Sequence, residues 1–148
     1  MVQRSDGSLL QYIRNWHGQS FVSESFDRGT SWSAPKPSGV ISALAPTYLT
    51  RIPGTEDLLM IWNPTWNPGE RISGHRTPLA CAISRDGGKT WGLPKALETN
   101  SEYWWEYPGV TFHGQHALIH YRAFPMDRKR CDLVQARVPI SWFYDVKN

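Results

Sequence analysis

A chain of 148 residues, 40% of them apolar, is long enough for one domain with its own core and too apolar to be disordered. Its net charge of +3 comes from 16 basic and 13 acidic side chains, scattered except for Asp127-Arg128-Lys129-Arg130; this excludes the dense basic surface of a nucleic-acid binder yet suits an anionic small-molecule substrate. No apolar run is long enough to span a membrane and no leader is recognisable, so a cytoplasmic protein is expected for the chain as given, with secretion open if the N-terminus is truncated.

Strand signals dominate, and no window sustains a helical period. Strands are expected over 9–15 and 20–25, paired around a His17-Gly18 turn, in a first unit that lacks its opening strand. The second of them runs into Ser25-Phe26-Asp27-Arg28-Gly29-Thr30-Ser31-Trp32. A Pro-rich exit at 33–38 blocks helix. Strands at 47–52 and 58–62 flank a Pro53-Gly54 turn, and the longest loop follows at 63–76 with two Asn-Pro steps and two glycines. Loops of that length in a β domain are frequently functional. The strand at 79–84 enters a second octapeptide, Ser84-Arg85-Asp86-Gly87-Gly88-Lys89-Thr90-Trp91, with a short strand at 95–98 after it. Strands at 107–112, 117–124 and 131–139, then an aromatic end at 140–144, form a third unit, in which residues 127–130 read as a solvated turn. The pattern is three units of roughly 50 residues.

Both octapeptides read S-x-D-x-G-x-[S/T]-W, so one built turn recurs. Asp27 and Asp86 can accept from backbone N–H groups, buried ones by expectation. Gly29 and Gly88 permit a left-handed dihedral, and Trp32 and Trp91 can plug the turn onto the layer beneath. The eight Trp, six Tyr and five Phe serve either a β core or sugar stacking. Cys81 and Cys131 show no metal or redox spacing and sit in apolar runs, which favours two buried free thiols over a disulfide. His116 and His120 share a strand face, but His113 lies across a turn and no Cys or Asp completes a set, so neither a metal nor any other cofactor is expected.

The recurring octapeptide is similar to the Asp box, or BNR repeat, of the sialidase (neuraminidase) superfamily. The succession Asp6-Gly7-Ser8-Leu9-Leu10 to Arg14, Asp box, Trp62-Asn63-Pro64, Arg76-Thr77-Pro78-Leu79, Asp box, Tyr107-Pro108 resembles the C-terminal half of that family's six-bladed propeller. The resemblance implies an all-β fold, a partial propeller of about three blades forming one domain over 1–148, with Asp boxes at 25–32 and 84–91 acting as stability elements. It also implies an exo-α-sialidase-like glycosidase that releases terminal sialic acids from glycoconjugates. The family holds the sialic acid carboxylate with three arginines, and the second and third fall here on Arg14 and Arg76. Guanidinium groups suit that task because they stay charged and donate bidentate hydrogen bonds.

The family's nucleophilic tyrosine falls on Tyr107. A neutral phenol avoids like-charge repulsion with a substrate carboxylate, an exception to the usual carboxylate nucleophile, and it needs a nearby base. Glu70, Tyr103, Trp104 and Trp105 are candidates to line the site; Glu102 and Glu106 are also near, with Glu106 expected to point to the strand face opposite Tyr107. The family's first arginine, its acid/base aspartate and the glutamate partner of the tyrosine match no stretch of this chain. The expected activity of the chain alone is therefore weak or absent, and the alternative is a non-catalytic Asp-box module that binds carbohydrate or protein. The expected ligand is sialic acid or a related anionic sugar, with no nucleic acid and no membrane. A half propeller leaves open flanks, which implies a homodimer completing the ring unless the aromatic tail folds back as cover.

Overall fold

Leu58–Trp62 is a run of five apolar residues, a pattern that requires cover on both faces of the strand. In the computed structural model, which describes residues 1–67 and 76–145, that cover comes from a blade on either side. Blade 1 contains β1 (Val2–Gln3), β2 (Leu9–Ile13), β3 (Gln19–Ser25) and β4 (Lys36–Ile41). Blade 2 contains β5 (Tyr48–Arg51), β6 (Leu58–Trp62), β7 (Leu79–Ser84) and β8 (Lys95–Glu98), and blade 3 contains β9 (Tyr103–His113), β10 (His116–Pro125) and β11 (Asp132–Pro139). Strands pair antiparallel in sequence order within each blade. The opening strands β1, β5 and β9 are spatial neighbours, the arrangement of a partial propeller with its inner edge along these strands.

Period-two alternation divides the core in two. Leu58, Met60 and Trp62 of β6, with Ala82, pack against Val2, Leu10 and Val22 of blade 1. Leu59 and Ile61, with Leu79 and Cys81, pack against Trp105, Ala117, Ile119, Tyr121 and Ala123 of blade 3. Each fully buried aliphatic side chain contributes about 1.5–3 kcal/mol, so the middle blade carries most of the hydrophobic stabilisation. Polar links reinforce both seams: Trp91 Nε1 donates to Tyr12 Oη at 2.8 Å across blades 2 and 1, and Tyr48 Oη donates to the Val110 carbonyl at 3.2 Å across blades 2 and 3.

The two octapeptides form the β3–β4 and β7–β8 turns with matching bonds. Ser25 Oγ donates to Asp27 Oδ1 and accepts from Gly29 N, both at 2.8 Å, and Ser84 does the same with Asp86 and Gly88 at 2.8 Å. The Asp oxygens then accept from the backbone and side chain of Ser31 or Thr90. The buried member is the serine, 1% exposed in both turns, whereas Asp27 and Asp86 are solvent-exposed. The expectation of buried donors on the aspartates is therefore corrected: the carboxylate orders an exposed loop and the serine anchors it.

Several expectations change with the coordinates. Blade 1 does have an opening strand, but only the two residues of β1. The Pro-rich exit is itself β4, where Pro37 is tolerated because the strand lies at the edge of its sheet. Both cysteines are free, with Cys81 buried and its thiol pushed up to about 12 by that burial, but Cys131 is exposed because it precedes β11. The aromatic end forms a 3-10 helix over Ile140–Phe143. This tail folds over blade 2: Phe143 is buried in the seam beside Cys81, and Lys95 Nζ caps the Trp142 and Asp145 carbonyls at 2.6 and 2.8 Å. No helix among the described residues is long and apolar enough to cross a membrane.

Candidate functional site

The site is built around an irregularity in β9. His120 pairs with Gly109 and Arg122 with Glu106, so Tyr107 and Pro108 together oppose Tyr121, a bulge of one extra residue. Tyr107 takes φ 56°, a left-handed conformation that costs a bulky side chain about 1–3 kcal/mol. Its effect is to break strict alternation. Trp105 and Glu106 are both buried in succession, while Tyr107 stands 43% exposed. The expectation that Glu106 faces away from the site therefore fails, and the bulge is the reason.

Arg76 approaches from the segment just before β7. Its carbonyl accepts from Trp105 N at 3.0 Å and from Asn63 Nδ2 at 2.9 Å. Asn63 is 1% exposed, and the same amide nitrogen also reaches the carbonyls of Pro78 and Trp105 at 3.0 and 3.1 Å. One buried amide thus ties the end of β6, the start of β7 and β9 together, and Arg76 is held where they meet. Its guanidinium pairs through Nη1 with Glu106 Oε2, donates from Nη2 to the Leu44 carbonyl at 3.2 Å, and lies 5.9 Å from the Tyr107 ring centroid. The second Glu106 oxygen meets Arg128 Nη2 at 3.5 Å. A carboxylate as buried as this one requires such partners, since removal of a buried ion's counter-charge costs about 3–5 kcal/mol. Asp127–Arg130 is indeed a turn, but Arg128 is engaged rather than free.

Arg122, which lies in no recognisable motif, completes the surroundings of Tyr107. Its Cζ lies 4.8 Å from the Tyr107 ring centroid and 4.8 Å from that of Phe124. Arg128 covers Phe124 at 5.0 Å and Trp104 at 4.5 Å. Guanidiniums attract aromatic faces electrostatically, so the cations here are stacked rather than solvated.

The remaining candidates separate. Arg14 is exposed just past β2, on a turn whose Gly18 carbonyl accepts from Ser42 N at 3.1 Å; Ala43 N in turn donates to the Asn63 carbonyl at 3.0 Å. That places the Arg14 turn at the Asn63 end of the blades, but Arg14 makes no hydrogen bond or ion pair among the described residues. The turn needs its glycine: φ is 75°, and a Cβ on Gly18 would stand 2.7 Å from the Trp66 ring. Trp105 is spent on the core, stacked on Tyr103 at 5.3 Å. Tyr103 accepts from Thr77 Oγ1 through its carbonyl and from Arg130 Nη2 through its hydroxyl at 3.2 Å. Trp104 is half-buried under Arg128. Glu102 lies in the turn before β9, its carbonyl accepting from Met126 N at 3.0 Å, and Glu70 lies outside the described residues. Among the described residues no group of three His, Cys, Asp or Glu is placed to hold a metal ion; His116 meets Arg137 at 3.2 Å and His120 packs over Gly109.

Chemically, the arrangement sets a solvent-accessible phenol beside guanidiniums on an inner strand. It can hold an anion next to a nucleophilic hydroxyl. Among the described residues it shows no free base for that hydroxyl, because Glu106 is committed to two arginines and Tyr107 Oη has no hydrogen-bond partner there.

A family model of the BNR repeat-like domain matches residues 1–120. Among solved structures, the chain is similar to a leech intramolecular trans-sialidase complexed with 2,7-anhydro-Neu5Ac and prepared by soaking with 3'-sialyllactose. The similarity has a TM-score of 0.73 at 19% identity and covers 95% of this chain but 23% of that one. No curated protein matches the chain.

Proposed function

The chain belongs to the BNR repeat-like family of the sialidase superfamily, and from that premise we propose that the Tyr107 cluster is a sialidase-type site for an acidic sugar, the substrate class being terminal sialic acids of glycoconjugates. The observation that carries the reading is the Arg76 guanidinium lying 5.9 Å from the exposed Tyr107 ring, on the strand that opens blade 3. In this reading Arg76 holds the sugar carboxylate, Arg14 supplies a further guanidinium from the blade 1 turn, and Tyr107 Oη attacks the anomeric carbon. The phenol proton and the departing alkoxide each then need an acid/base partner. Glu106 acts as a positioning residue that holds Arg76.

Binding is accordingly expected to outlast catalysis. The full chain should bind N-acetylneuraminic acid, lose that binding in Arg76→Gln, and hydrolyse a fluorogenic sialoside slowly or not at all. Titration calorimetry and a fluorescence assay measure the two. Acid binding unaffected by Arg76→Gln would sink the site assignment, and brisk turnover abolished by Tyr107→Phe would show that a base exists. The second reading, a binding module without hydrolysis, is favoured by the same commitment of Glu106 to Arg76 and Arg128.

A further inference from the structure

Among the described residues, the Tyr107 cluster holds three guanidiniums, from Arg76, Arg122 and Arg128, and one carboxylate, and both oxygens of Glu106 are taken by Arg76 and Arg128. Arg122 is the cross-strand partner of Glu106 in β10 and the obvious candidate to pair with it, yet it turns away onto the rings of Tyr107 and Phe124. Its Nε–H is shielded from solvent and meets no acceptor among the described residues. Among the described residues Arg122 makes no hydrogen bond or ion pair. A half-buried guanidinium held only by aromatic faces keeps its full charge and most of its donors unspent. Arg76 and Arg122 also flank the same phenol ring, so their mutual repulsion is relieved by an anion placed beside it.

We propose that Arg122 is an anion-binding residue of this site, acting with Arg76 on the carboxylate of the acidic sugar. The assignment rests on the acidic-sugar reading and adds to it a residue that comes from the same blade as Tyr107. Alternation along β10 makes this possible: Ala117, Ile119, Tyr121 and Ala123 face blade 2, which leaves Arg122 on the other face, and the bulge at Tyr107 brings the phenol within its reach.

The test compares N-acetylneuraminic acid with its neutral methyl ester on the full chain by titration calorimetry, with melting curves confirming that each variant folds. Arg122→Gln is expected to weaken acid binding by about tenfold or more and to narrow the preference for acid over ester by the same factor, the loss appropriate to one charge-assisted bidentate contact. Arg137→Gln removes the same net charge from exposed β11 and should leave binding unchanged. If the glutamine variant does not fold, Arg122→Met keeps an apolar stem against Phe124 and carries the same expectation. Wild-type acid affinity in a folded Arg122 variant, alongside loss in Arg76→Gln, overturns the role of Arg122 and leaves the acidic-sugar reading standing. A wild-type protein that does not distinguish acid from ester overturns both.

Discussion

Asn63 is the side chain on which the site geometry most depends. Its amide nitrogen serves three carbonyls from two segments, residues 76–78 and β9, and the Arg76 carbonyl has a second donor in Trp105 N. Asn63→Ala would leave buried acceptors unpaired and should cost about 2–3 kcal/mol, measured by urea unfolding. Asn63→Asp has nearly the same shape but sets a carboxylate against those carbonyls, so it should cost at least as much; a wild-type midpoint for the Asp variant would remove Asn63 from this role. The sequence marked the Asn-Pro step as loop chemistry and as part of the family succession, but nothing local tells that the amide turns inward to strands distant in the chain. Tyr107 was legible through its motif, but its bulge was not, because alternation reasoning assumes one partner residue per position. Glu106 was placed on the wrong face for that same reason, whereas Arg122 lies in no motif that points to it.

At the scale of the element, the Asp boxes were the most legible feature, and the strands at 58–62, 79–84 and 95–98 fall where their apolar patterns put them. What the motif concealed is the division of labour inside it. The Ser31 hydroxyl and amide, then Ser25, hold the Asp27 carboxyl at about 2 instead of its ordinary 3.8. For Asp86, the burial that would raise it is outweighed by the bonds from Thr90, Ser84 and Lys89, which bring it to about 2. A carboxyl depressed in the folded state stabilises fully above its unfolded value, and that contribution is lost as pH falls from 3.8 towards 2. The melting temperature should therefore drop across this window, and the Asp27→Asn/Asp86→Asn double variant should melt lower at neutral pH with a shallower acid slope. Equal slopes in the two proteins would mean that these loops do not govern acid stability. The two-residue β1 and the Pro-bearing β4 were invisible because the first is too short for a pattern and the second contains the residue that usually argues against a strand.

For the whole molecule, the three blades leave free strand edges and uncovered faces. The aromatic tail, the alternative cover for an open flank, is committed to blade 2 by Lys95 and Phe143. Phe26, Leu133, Trp16 and Ile41 remain largely exposed, and β4 and β11 are sheet edges. Such surfaces favour a second copy, and a two-fold pair would cover two flanks at once. Light scattering of the 148-residue chain at low micromolar concentration is expected to give about twice 16.9 kDa, and a clean mass at the single-chain value rejects the pairing.

The uninterrupted run in β6 has one more consequence. Leu58-Leu59-Met60-Ile61-Trp62 is uncharged and free of proline and glycine, the composition of a segment prone to cross-β stacking. In the fold both of its edges are paired, by β5 and β7, and both of its faces are shielded, by blades 1 and 3. The outer blades thus shield a stretch of cross-β composition. A substitution that loosens either one unveils that stretch, even when it lies far from β6 and leaves the strand's own sequence untouched.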